Sequence, residues 1–183
     1  MKNFKNLKRQ RGDFLIGLMI AIVIVAVLGA GYWINLRDSQ RDIEVKETIS
    51  KVNMTAAALR ANFGVNGQYA DVTTAVAVQS RTIPQDQRIP GTNTAQNSFG
   101  GAITVAPVTL TSANDAILLT YPNVAPWACA RTVIGTQNSA RRISIGSTDV
   151  KPLDGAISNA DMTTACDVDE PVTIVWAVGR TGA

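Results

Sequence analysis

The sequence holds two cysteines, Cys129 and Cys166, and no histidine. Without imidazole there is no Ser-His-Asp or Cys-His pair. Nor is there a His-bearing zinc site, or a general base whose ordinary pKa lies near neutrality. Serine and lysine are present, but no S-x-x-K signature occurs, and no Gly-rich phosphate loop, metal cluster or nucleophile elbow can be traced. The reading is therefore of a protein that is not an enzyme, with no catalytic residue, no metal ligand and no cofactor. The cysteines, with 36 residues between them, match no Cys-rich metal motif and are too few for a disulfide-framed miniprotein. They either close one disulfide or stay as two separate buried thiols, and the compartment of the chain decides between these.

Charge narrows the partners. The sequence pI of about 9.1 would suit a nucleic-acid binder if the positive charge were spread over a folded surface. Instead Lys2, Lys5, Lys8, Arg9 and Arg11 fall within Met1–Gly12, which carries no acid. The remaining 12 basic residues face 14 acidic ones, so the body is slightly negative. No nucleic-acid partner is expected.

The elements that must position these residues begin with an apolar run. Phe14–Ile34 is 21 residues without a charge, and as a helix it covers roughly 31 Å, the thickness of a bilayer's hydrocarbon core. The basic residues precede it, which keeps the short end in the cytoplasm and exports the body, an oxidising location that favours the disulfide. The run is too long for a signal-peptide core and has no A-x-A-like site behind it. Val45, Ile49, Val52, Ala56, Leu59 and Phe63 then follow at helical spacing. No proline interrupts residues 13–63. One continuous helix over 13–63 is expected, with 14–34 apolar all round and 35–63 amphipathic. Asp38–Arg41, Arg41–Glu44, Asp42–Lys46 and Glu47–Lys51 are spaced to pair along its solvated face.

The basic leader ending in Gly12, followed by Asp13-Phe14-Leu15-Ile16-Gly17-Leu18-Met19-Ile20, resembles a type IV prepilin. The resemblance implies removal of residues 1–12 by a prepilin peptidase, with Asp13 as the new, methylated N-terminus. It implies a homopolymer built around the apolar helix, assembled by pilus machinery from an inner-membrane precursor oriented N-in, C-out. Gly17 stands where the family carries a glutamate, thought to neutralise the N-terminal amine of a neighbouring subunit. Asp13 is the only acid among residues 1–37, so it is the expected substitute. The alternative is that this chain is a minor or initiating subunit that does without the contact.

From Gly64 to about Gly101 the composition turns to Gly, Asn, Gln, Thr and Pro, so long regular elements are not expected; the resemblance implies the loop joining helix to sheet, and Arg81–Asn97 alone also reads as a flexible linker. Strands are expected at Ala102–Leu110, Ala116–Tyr121, Arg131–Ile134, Arg142–Ile145 and Val172–Val178. With no crossover helix between them, they should form an antiparallel sheet against the amphipathic helix, an α+β head over 64–183. Arg141-Arg142 reads as a solvated turn. Ile89-Pro90, the run Asn97-Ser98-Phe99-Gly100-Gly101-Ala102-Ile103-Thr104-Val105 and the C-terminal cysteine pair are similar to type IVb pilins. The function implied is a structural subunit of a surface fibre used for adhesion, aggregation or conjugative contact, with its receptor unspecified. A secretion-system pseudopilin and a single-pass, membrane-anchored periplasmic domain are the rival readings.

Overall fold

The computed structural model describes residues 7–64 and 69–179, with side-chain surroundings inside the first helix given for 16–26 and from 37 onward. Helix α1 runs Leu7–Phe63, and the chain divides into two units, Met1–Asp42 and Ile43–Ala183. In the first unit the side chains of residues 16–26 are all exposed. Among the described residues no helix is long and apolar enough to cross a membrane. Much of the expected membrane run, Phe14–Ile34, lies outside the described side chains.

The second unit contains the C-terminal part of α1 and a six-stranded sheet. Its strands are β1 (Ala95–Gln96), β2 (Ala102–Val108), β3 (Ala116–Val124), β4 (Arg142–Ile145), β5 (Thr148–Lys151) and β6 (Val172–Gly179). They lie in the order β1-β2-β3-β6-β4-β5, with every neighbouring pair antiparallel. The last strand is thus central, inserted between β3 and β4. Its Val-Thr-Ile-Val-Trp-Ala-Val run suits such a place, because β-branched and aromatic side chains fill a sheet buried on both sides. The α+β class with an antiparallel sheet is what the structure shows.

Along α1 the expected stripe faces the core. Val45, Val52, Ala56 and Leu59 are buried, and Ile49 and Phe63 pack against the same cluster. Thr48 and Thr55 are buried beside them, which a purely apolar reading overlooks. From β3 and β6, Tyr121 and Trp176 meet edge to face at a centroid distance of 5.3 Å. The indole N–H donates to the Thr136 hydroxyl at 2.8 Å and the phenol to Gln87 Oε1 at 3.1 Å, so both polar tips are satisfied inside the core. Burial pushes the Tyr121 phenol up to about 12.

Several local expectations are corrected. Arg131–Ile134 is not a strand but part of helix α3, Pro126–Thr136. Its β-branched Thr132, Val133 and Ile134 favour a strand locally. However, Pro126 occupies the first helical turn, and Cys129, Thr132, Val133 and Thr136 share one buried helical face, so tertiary packing overrides propensity. Helix α2, Thr74–Gln79, helix α4, Asn159–Cys166, and strand β5 have no counterpart among the expected elements, being only six, eight and four residues long. Strand β2 ends at Val108. Strand β3 runs past Tyr121 to Val124 through a bulge that accommodates Pro122 and Asn123, the latter at φ +61°. Arg81–Asn97 is no flexible linker, since Ile83, Gln87 and Asn97 are buried and a 3₁₀ turn and β1 lie within it.

Candidate assembly surface and the head

The residues expected to govern processing and assembly are Gly12, Asp13 and Gly17. Gly12 and Asp13 fall within the backbone span of α1, but their side-chain positions lie outside the described residues. Gly17 is described and exposed, and a Cβ placed on it would meet no atom within 4 Å. A larger residue would fit in the isolated chain, so intrachain packing does not explain the glycine. Around it Ile16, Leu18, Met19, Ile20, Ile22, Val23, Ile24 and Val25 all show about half or more of their surface. Water penalises such a contiguous apolar surface, which marks it for lipid or protein.

The head is fastened along α1 by apolar and polar contacts. A Cβ on Gly135 of α3 would lie 2.5–2.9 Å from three side-chain carbons of Ile49, so α3 and α1 touch at a position only glycine permits. Beside it Asn53 Nδ2 donates to the Gly135 carbonyl at 3.3 Å, and Ser139 Oγ pairs with Asn53 Oδ1 at 2.6 Å. Arg60 donates through Nε to the Gly179 carbonyl at 3.1 Å and through Nη2 to the Ser139 carbonyl at 2.5 Å, tying the helix to the end of β6.

Two charged clusters depart from the sequence expectation. Lys51 is only 12% exposed. It pairs with Glu47 at 2.6 Å, as its spacing predicts, and also with Asp86 from the 3₁₀ turn at Gln85–Gln87. Burial opposes its charge, but the hydrogen bonds that Lys51 donates to Asp86 and Glu47 prevail and raise its pKa. Arg41 and Asp38 approach at 3.9 Å. Arg141 is no solvated turn, being buried at 6% exposure. It donates from Nε and Nη2 to Asp154, at 2.6–3.2 Å, and its Nη1 lies 3.6 Å from Asp115. Burial disfavours ionised Asp115, yet the Thr111 hydroxyl and the backbone N–H groups of Leu110, Ser112 and Thr111 hold its carboxyl well below the usual carboxylate range.

The disulfide forms between Cys129 and Cys166, with Cα atoms 5.7 Å apart. It joins the middle of α3, where Cys129 is fully buried, to the last residue of α4. The intervening β4 and β5 are thereby closed into a cross-linked segment. The Asn97–Gly101 motif also acquires a physical meaning. Asn97 Oδ1 accepts from the Phe99 and Gly101 amides at 2.9 and 2.8 Å, while Nδ2 donates to the Pro122 carbonyl at 2.6 Å. Gly100 sits at φ +81°, and any Cβ on Gly101 would overlap the Pro122 carbonyl oxygen. Phe99 then stacks edge-on against Trp127 of α3 at 6.0 Å. Among the described residues no cluster of three His, Cys, Asp or Glu could hold a metal ion.

Two solved structures share the architecture. A type IVb pilin from Salmonella typhi superposes with a TM-score of 0.55 at 22% identity, over 72% of this chain and 99% of that one. TcpA, a type IV pilin from Vibrio cholerae El Tor biotype, gives 0.50 at 14% identity, over 72% and 98%. The fold is that of a type IV pilin. Residues 42–179 match the family described as PilS N terminal, and the chain belongs to that family. A comparison with curated protein sequences finds no match.

Proposed function

We propose that this chain is the subunit of a type IVb-like pilus, polymerising through its apolar N-terminal helix into an extracellular fibre. The observation that carries the reading is the exposed apolar surface over Ile16–Val25 in a chain whose head has the pilin fold. In lipid and then in a filament core that surface stays out of water, so assembly changes its partner while keeping the hydrophobic gain. On this reading a prepilin peptidase cuts between Gly12 and Asp13 after membrane insertion with the head outside, and the new amine is methylated. Asp13 then neutralises that amine, its own or a neighbour's, in place of a carboxylate at Gly17. An unpaired ammonium in an apolar core is costly, which is the reason to expect such a partner. Fibre use is adhesion, aggregation or conjugative contact.

The test is the N-terminal residue of sheared surface material, with electron microscopy of the cells. Asp13 at the N-terminus of isolated fibres supports the reading. Gly12→Val should leave the full-length chain in the inner membrane, because a small residue is needed at the cut, and unchanged processing would argue for a plain anchor. Asp13→Asn should be processed yet piliate poorly. Normal fibres from Asp13→Asn, in a strain where this chain is the main subunit, would discard the role given to Asp13.

A further inference from the structure

The head contains a polar cleft that neither the fold nor the assembly reading uses. It has a volume of about 390 Å³ and lies between the end of α2 and the turn leading into β1. Arg81 and Arg88 both line it, together with Gln85 and Thr92, and the exposed Ile89 and Pro90 add apolar residues to its wall. Among the described residues neither guanidinium has an ion-pair or hydrogen-bond partner, and the buried Nε of Arg88 is left without an acceptor. The nearby carboxylate of Asp86 is engaged by Lys51.

The walls are built. Arg81 follows α2 at φ +58°, a left-handed conformation uncommon for a residue with a side chain. Its position is fixed by the next two residues, whose N–H groups donate back to the Ala77 carbonyl at 3.0 and 3.4 Å. On the other side the Ile89 amide donates to the Thr94 carbonyl at 3.0 Å, and the Thr92 hydroxyl donates to the Ile89 carbonyl at 2.9 Å, closing the turn. Gln79 donates to Asn93 at 3.3 Å across the gap between the two walls.

We propose that this cleft binds a small carboxylated sugar, its carboxylate on Arg81 and Arg88 and its ring hydroxyls on the Gln85 side chain. Two guanidiniums in one cleft with no acid lining it call for an oxyanion, and the guanidinium fork matches a carboxylate in two parallel bonds. The size argues for more than a bare ion. A cleft of about 390 Å³ falls within the ~300–1,000 Å³ range of small-molecule sites and is larger than a bare ion needs. Neutral donors and acceptors next to the charge, with an apolar wall, suit a polyhydroxylated ring. The site is complete in one chain, so it stands or falls independently of polymerisation.

The experiment titrates the full chain in nonionic-detergent micelles with N-acetylneuraminic acid, glucuronic acid, glucose and inorganic phosphate, reading the arginine side-chain Nε–Hε NMR signals. Both sugar acids should shift the Arg88 signal saturably, with apparent affinity at least about tenfold above that of glucose and phosphate, the size of one charge-assisted hydrogen bond. Arg81→Gln, an exposed change that leaves the core intact, should weaken the acids by about tenfold, and Arg88→Gln by more. Phosphate binding as tightly as the acids would overturn the sugar assignment. Absence of a saturable shift, or undiminished binding by Arg81→Gln, would overturn the site.

Discussion

Leu59→Ala measures how far the α1 stripe holds the head together. Leu59 is fully buried in the core shared by α1 and the sheet. Truncation to alanine removes three carbons, worth about 2.4 kcal/mol at ~0.8 kcal/mol per buried methylene. The cavity left in a close-packed core raises this toward ~5 kcal/mol where neighbours cannot relax. The proper control is Met54→Ala on the same helix, since Met54 is 53% exposed and should cost no more than about 0.5 kcal/mol. Lys51, which lies off the apolar stripe in the sequence, is no neutral control because it bridges Glu47 and Asp86. Urea unfolding of the full chain in nonionic detergent, followed by near-ultraviolet circular dichroism of the buried Tyr121–Trp176 pair, gives both numbers. With a urea slope of about 2 kcal/mol per molar, a 3 kcal/mol loss lowers the midpoint by about 1.5 M. Equal midpoint shifts for Leu59→Ala and Met54→Ala would refute the helix register.

Reducing the Cys129–Cys166 bridge, whose ends are 37 positions apart, should destabilise the head by roughly 4 kcal/mol in the chain-entropy treatment. It is read as a lower urea midpoint with reductant, and alkylation of both cysteines in unreduced exported protein would count against the bridge. Gly101→Ala should cost about 1–3 kcal/mol, because its Cβ would overlap the backbone oxygen of Pro122, and a wild-type melting curve would show that the Asn97–Gly101 turn yields freely. Asp86, Asp115 and Asp154 all have carboxyl pKa values lowered by folding. Their contribution is therefore complete above the unfolded value of about 4 and is lost as pH falls through the lower folded values. Urea midpoints should drop between pH 4 and pH 2, and Asp115→Asn should lower stability at pH 7 by about 1–3 kcal/mol by stranding amide donors. A midpoint independent of pH over that range would contradict the network.

The long helix, its core-facing stripe and the antiparallel class were legible in the sequence because each rests on repetition. Val45 to Phe63 states the helical period five times over, and Val172–Val178 is β-rich over its whole length. The lack of histidine is likewise read directly, and it removes imidazole-based sites. What the sequence concealed is short or decided at a distance. Arg131–Ile134 prefers a strand by local composition, and only contact of α3 with Ile49 and Trp176 makes it helical. Lys51 and Arg141 look like surface charges until Asp86, 35 positions on, and Asp115 and Asp154 are brought against them. The pairing of Arg81 with Arg88 across one cleft depends on the turns at both ends of a segment that reads as linker. Periodicity reports which face of an element meets the core, because that demand recurs every turn. It is silent on which distant side chain meets another, because such a meeting occurs once and is set by how the chain closes on itself.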